Sequence, residues 1–123
     1  MALLGLVRRL LYTFLMMNEK TAVVALAALA QDARLRIFRA LIGVADQGLR
    51  PSELSLALGI PPSTLSFHLK ELAQAGLVSV ERESRHLIYR PAIGHMNELI
   101  AYLTDHCCEG RVCGLQLEGS PMT

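Results

Sequence analysis

The sequence predicts a mainly α-helical domain with one small β-hairpin, and three observations predict it. Apolar residues recur at helical spacing in five stretches between residues 19 and 107. Two of these stretches are short and meet at a Gly-Ile-Pro-Pro break, residues 59–62. Directly after the second, the period changes once, from 3.6 to 2, over residues 77–90.

Residues 1–17, MALLGLVRRLLYTFLMM, are almost wholly apolar, but Arg8 and Arg9 split the run. Neither half approaches the ~20 residues of a membrane span, and no membrane partner is expected. A secretory leader needs small residues after its apolar core. Ala28-Leu29-Ala30 imitates that site, yet helix explains the region better. Two expectations stand for residues 1–18: an extra helix packed on a partner, or an in-frame extension ahead of a start at Met16 or Met17.

Residues 19–30, EKTAVVALAALA, are strong helix formers. Asp32 is a good N-cap for a second helix, ARLRIFRALI. There Leu35, Phe38, Leu41 and Ile42 share a face, with Arg34, Arg36 and Arg39 largely off it. Gly43 and Gly48 bracket a polar break. In PSELSLALG, residues 51–59, Pro51 suits a first helical turn. Leu54, Ala57 and Leu58 line one side, Gly59 ends the helix and Ile60 anchors the turn. Pro62 opens the next helix, where Leu65, Leu69 and Leu72 point inward and Gly76 is the stop. LVSVER (77–82) and HLIYR (86–90) alternate as strands, joined through Glu83-Ser84-Arg85. Pro91 ends the hairpin, and residues 92–107 return to helix with Met96, Leu99, Ile100 and Leu103 on one stripe.

The 123 residues suit one domain, here 19–108, preceded by the extension and followed by a tail, 109–123. A net charge of +1 excludes a disordered polyelectrolyte and any function resting on bulk charge. With no Trp and only six other aromatics, the core must be aliphatic. Three Cys make no paired disulfide framework, which points to reduced thiols and a cytoplasmic protein. No enzyme is expected: there is no Cys-x-x-Cys and no phosphate-binding glycine loop.

Two helices joined by a Gly-containing turn form a helix-turn-helix, and a hairpin straight after makes it a winged helix. The second helix of such a pair lies in the major groove of double-stranded DNA. Its outward residues suit that task. Ser63, Thr64 and Ser66 are short donor-acceptors for bases or phosphates, and His68 and Lys70 are expected to reach phosphates. Phe67 falls off the leucine stripe, where a phenyl ring has a use against a thymine methyl. At the wing, Arg82, Arg85 and His86 are placed for backbone or minor-groove contact. Taken singly, these residues can equally be caps and solvated charges.

The motifs LAQDARLRIFRALI (29–42), ELSLALGIPPSTLSFHLKELAQAGLVSVER (53–82) and HLIYR (86–90) resemble the ArsR/SmtB family of metal- and metalloid-responsive repressors. The resemblance covers about residues 20–108. It implies a homodimeric winged helix that leaves its operator when an inducer binds. It also implies pairing through the first and last helices, with Val24, Leu26, Met96, Leu99, Ile100 and Leu103 as interface. There are departures. The first helix of the pair has Glu53-Leu54-Ser55-Leu56 where many members carry a Cys-x-Cys inducer site. Pro61 stands where a Ser cap is usual, and Glu83-Ser84 where Gly is common at the wing tip.

All three thiols, Cys107, Cys108 and Cys113, fall in DHCCEGRVCG, residues 105–114. Neighbours on a regular helix point about 100° apart, so convergence needs a frayed helix end, with Gly110 letting Cys113 come round. Three converging thiolates suit soft, three-coordinate trivalent arsenic or antimony. Zinc is the main competitor, with His106 completing a Cys₃His set, although adjacent ligands fit its usual spacing less well. A two-thiolate site, copper(I), mercury, an idle cluster and a redox pair also remain open. Some family members carry a three-Cys arsenic site after the last helix, and the tail resembles that subgroup. The resemblance thus implies Cys107, Cys108 and Cys113 as ligands.

Overall fold

The computed structural model describes residues 17–105. The expectations for the apolar segment before Met17, and for His106, Cys107, Cys108 and Cys113, lie outside the described residues.

Helix α1 spans Glu19–Leu29, and Asn18 caps it, its Oδ1 accepting from the Thr21 N–H at 2.9 Å. Its buried positions are Ala22, Ala25 and Ala28. These small side chains let α1 lie close on its neighbours, while Val23, Val24 and Leu26 face outward. Helix α2 spans Asp32–Val44. Its cap is Gln31 rather than Asp32: Gln31 Oε1 accepts from the Arg34 N–H at 3.0 Å. Asp32 occupies the first turn, where the helix dipole favours its charge. The buried strip is Ile37, Phe38 and Leu41, and the expected Leu35 and Ile42 are exposed. The strip is rotated because α1, α3, α4 and the hairpin all pack on α2, so two adjacent flanks close together. The helix also runs through Gly43, an expected break, and ends at Ala45, with φ 50°, before a 3₁₀ turn over Ala45–Gln47.

Helix α3 spans Pro51–Leu58. Only Leu54 is fully buried; Ala57, expected beside it, is exposed, because two turns offer the core little more than one side chain. The Glu53 carboxylate accepts from the Arg50 N–H at 2.8 Å and satisfies one orphan donor of the helix start. Helix α4 spans Pro62–Gln74 and buries Leu65, Leu69 and Leu72 as the spacing predicts. Strands β1 (Val78–Glu83) and β2 (His86–Pro91) pair antiparallel, with Val78 opposite Pro91 and Glu83 opposite His86. Leu77, expected in the strand, is a fully buried joint. Its N–H donates to the Leu72 carbonyl and its carbonyl accepts from the Ala92 N–H. Helix α5 spans Ile93–Leu103, closed by the Thr104 hydroxyl donating to the Ile100 carbonyl at 2.9 Å.

One apolar cluster joins all five helices and the base of the hairpin. Two further ties hold the wing. Leu49 and Tyr89 exchange N–H···O bonds of 2.9 Å, adding a one-residue third strand. Arg90 donates through Nε to the Asp46 carbonyl at 2.7 Å and through its two terminal nitrogens to Glu81 and Glu83. Gly48 makes this approach possible. Its φ is 71°, and a Cβ there would meet Ile88 Cγ2 at 2.6 Å and the Tyr89 carbonyl oxygen at 2.9 Å.

Gly48→Ala therefore combines a disfavoured backbone with overpacking, and should lower unfolding free energy in urea by about 2–4 kcal/mol. A second expectation concerns acid. The Arg50 N–H, then the Arg50 charge, hold the Glu53 carboxyl below its usual 4.5. A lowered carboxyl contributes stability that is present above that value and lost as pH falls through the folded-state value. Glu53→Gln should lose less stability than the wild type on acidification below about pH 4.5, measured by urea titration across pH.

Candidate nucleic-acid interface

The turn between α3 and α4 is built from local hydrogen bonds. Gly59 takes the left-handed conformation, with φ 67°. The Gly59 and Ile60 N–H groups both donate to the Ser55 carbonyl, and the Ser55 hydroxyl donates back to the Ile60 carbonyl at 2.6 Å. Ser55, in the stretch where many members of the resembled family carry a Cys-x-Cys site, is thus a turn residue here. Arg36 reaches across from α2 to cap α3, donating to the Leu58 carbonyl at 2.8 Å. With Ile60 buried as the anchor, these bonds set the angle at which α4 leaves the core.

Helix α4 starts at Pro61-Pro62 with no side-chain cap, as its sequence predicts. Pro62 has no N–H, and among the described residues nothing accepts from the Ser63 and Thr64 N–H groups. That end therefore presents two backbone donors beside two hydroxyls, an arrangement suited to a phosphate. Ser63, Thr64, Ser66, Phe67 and Lys70 are all exposed on α4. His68 is not. It is 8% exposed, and its Nδ1 accepts from Arg34 Nε at 3.2 Å. The expectation that it reaches phosphates is corrected: His68 lies one helical turn from Leu65 and Leu72, and so on the core side. A groove of about 450 Å³ between α3 and α4 carries Ser52, Ser66 and the 87% exposed Leu56 on its rim. Leu56 was not among the expected contacts.

The hairpin divides its charges by strand alternation. Arg82 shares a face with Val78 and Val80, while His86 stands opposite Glu83 on the other face. All of Arg82, Arg85 and His86 are exposed, but they do not form one patch. Arg90 binds Glu81 at 2.8 Å and Glu83 at 3.0 Å, and these carboxylates raise its pKa. The wing's acids are thereby paired on the face opposite Arg82. Among the described residues Arg82 and Arg85 have no ionic partner, so the distal wing is cationic. Ser84 at the tip takes φ 61°, the conformation that a tight hairpin turn asks of its first residue.

The expected pairing surface divides as well. Val24 and Leu26 on α1 and Leu103 on α5 are exposed, and Met96 and Ile100 are half-buried. Leu99, at 2% exposure, belongs to the core instead, because α5 folds its central turn onto the main cluster. Val23, Ile93 and Tyr102 add exposed apolar surface on the same two helices. From the sequence, two arginines read only as lying off the apolar face of α2. Arg34 and Arg36 look like solvated charges on a helical wheel, and only the crossing of α2 with α3 and α4 gives them partners. Among the described residues no group of three or more His, Cys, Asp or Glu is placed to hold a metal, and no helix is long and apolar enough to cross a membrane.

Comparison with known proteins agrees with this geometry. A helix-turn-helix domain family model matches residues 29–81. The chain is 34% identical over 92 residues to the transcriptional activator HlyU of Vibrio cholerae, covering 75% of this chain and 82% of HlyU. The HlyU structure superposes with a TM-score of 0.58 at 33% identity, over 76% of this chain and all of that one. YdfF of Bacillus subtilis, an HTH-type transcriptional regulator, is 35% identical over 77 residues, 62% of this chain; the match spans about a third of YdfF, 34%. The homodimeric winged helix-turn-helix domain of Mb0332 from Mycobacterium bovis, a possible ArsR-family regulator, matches at TM-score 0.56 and 26% identity. It covers 75% of this chain and 85% of that one. A possible transcriptional regulator for arsenical resistance matches at TM-score 0.57 and 25% identity, over 64% and 79% of the two chains.

The geometry separates two kinds of contact. Arg85→Ala should weaken binding to all duplexes about equally and reduce the slope of log affinity against log salt by about 1. Ser66→Ala should instead change which sequences are selected from a random duplex pool, with little change in that slope.

Proposed function

The chain belongs to the ArsR/HlyU type of winged helix-turn-helix transcriptional regulators, and on that premise we propose that it is a repressor released by a trivalent metalloid. In this reading a homodimer holds operator DNA, with α4 in the major groove and the wing on the backbone. Arsenic(III) or antimony(III) is the inducer, and Cys107, Cys108 and Cys113 are its ligands. The relatives named above are transcriptional regulators, not enzymes, and the chain shares their DNA-binding fold.

The single observation that carries the inducer assignment is the clustering of every cysteine of the chain within residues 107–113, directly after α5. The match to a possible regulator for arsenical resistance supports it. Soft thiolates match trivalent arsenic and antimony, which take three ligands and keep a lone pair. With arsenous acid, each thiol passes its proton to a departing hydroxide, and three As–S bonds replace three As–O bonds with release of water. Such a cluster works where thiols stay reduced, as they are in the cytoplasm.

The pairing surface ties the site to DNA. Val24 and Leu26 on α1, with Met96, Ile100 and Leu103 on α5, form the dimer contact in this reading. Drawing the tail into a closed metalloid site pulls on the end of α5, and hence on the spacing of the two α4 helices. That spacing must match one DNA turn, roughly 34–36 Å. An allosteric coupling of about 1–3 kcal/mol lowers operator affinity by at most ~150-fold.

Titration of reduced protein on a labelled operator with arsenite, antimonite and zinc tests this directly. Arsenite or antimonite should release the DNA and zinc should not. Single Cys107→Ser, Cys108→Ser and Cys113→Ser variants should bind DNA as the wild type does and fail to release. Release by zinc alone, or by peroxide alone, would replace the metalloid reading with a zinc or a thiol-redox switch at the same cysteines.

A further inference from the structure

We infer that Arg34, on α2 and outside the helix-turn-helix itself, is a positioning residue for sequence reading: it fixes the Phe67 ring on the exposed face of α4. The inference rests on the DNA-binding reading above and deepens it.

Phe67 is 53% exposed, a large apolar ring in solvent on the helix that reads DNA. An unrestrained ring there would have to be ordered on binding, at a cost in affinity. The ring is instead held from two sides. The Arg34 guanidinium carbon stands 5.7 Å from the ring centroid, in cation–π range. The His68 ring meets it edge-on, with centroids 5.6 Å apart and planes at 62°. His68 in turn is buried and accepts through Nδ1 from Arg34 Nε at 3.2 Å. One side chain of α2 thus grips two successive residues of α4.

The chemistry of the pair fixes the proton. Arginine only donates, so Nδ1 of His68 must carry the lone pair and Nε2 the hydrogen. Arg34 is itself fixed at its backbone, where its N–H donates to the Gln31 cap. Nε is engaged by His68 while the guanidinium carbon stands over the Phe67 ring, so one group contacts both rings. Arg34 also lines a groove between α1 and α4, with Val24, Glu71 and Gln74. The arrangement suits a ring that must meet one flat apolar target in a fixed pose, and the major groove offers that target as the thymine methyl.

The test uses the full-length protein and a duplex selected by the wild type from a random pool. Each thymine of that duplex is replaced in turn by uracil, which lacks only the methyl. The wild type should bind the thymine form about fourfold more tightly at one position, the value of one buried methyl-sized contact. Arg34→Met should bring that ratio close to one while leaving the melting temperature and the affinity for a random duplex near wild type. Phe67→Ala should also bring that ratio close to one, and the double variant should be no worse than Phe67→Ala alone. The nitrogen spectrum of His68 should show a bare Nδ1 in the wild type and a mixture of tautomers in Arg34→Met. Should Arg34→Met fail to fold, Arg34→Lys serves: it keeps the charge but not the planar face, and should also lose the preference.

Full thymine preference in the folded Arg34 variants would overturn the inference, and so would additive effects of the two substitutions. Equal weakening toward every duplex, with a smaller salt slope, would also overturn it, by making Arg34 a phosphate contact. A wild type that selects a site but shows no methyl preference anywhere would do the same. A wild type that selects no sequence would overturn the DNA reading itself.

Discussion

Burial of Leu65, Leu69 and Leu72 on one side of α4 is the constraint on which the remaining structure depends. A helix that commits one stripe to the core must present the opposite stripe to solvent, and here that stripe is Ser63, Thr64, Ser66, Phe67 and Lys70. Each fully buried leucine contributes on the order of 1.5–3 kcal/mol, so rotation of α4 about its axis is strongly opposed. The core behind α4 therefore fixes which of its residues face solvent. The supporting parts reinforce this. The Ser55–Ile60 stitch sets the angle of entry, the Arg36–Leu58 cap closes α3, and Leu77 pins the exit toward the hairpin.

The wing is held by a different device. It buries little beyond Val78 and Pro91, so packing alone would leave it loosely attached. Backbone bonds from Leu49 and the threefold engagement of Arg90 supply the attachment instead, and Gly48 clears the space for them. The same arginine has an electrostatic consequence. By pairing with Glu81 and Glu83 it leaves Arg82 and Arg85 to dominate the field of the distal wing. A chain with a net charge of only +1 thereby presents local positive charge where a polyanion would lie.

Helices α1 and α5 carry the opposite balance. Their inward positions are small or few, namely three alanines on α1 and Leu99 on α5, while larger apolar side chains face outward. In a monomeric domain such residues would favour the core. Their placement outside fits a pair of helices that completes its packing against a second copy.

Much of this was legible in the chain. The five helices, the single change of period, the Gly59 and Gly76 stops and the leucine stripe of α4 follow from periodicity and capping, which are local properties. The cysteine cluster is also a property of sequence, and its proposed chemistry rests there. Partnership across elements was not legible. The wheel of α2 suggested Leu35 and Ile42 as core beside Phe38 and Leu41, and the packing of neighbouring elements buried Ile37 in their place. His68 reads as a phosphate contact, yet it lies on the core side of α4, where Arg34 reaches it from 34 residues away and makes it an acceptor. Leu99 reads as interface and is core. The amino-acid order determines which residues share a face, because that depends on 3.6 or 2 residues per turn. The tertiary structure alone decides which face is covered and by what, because that depends on contacts between segments distant in the chain.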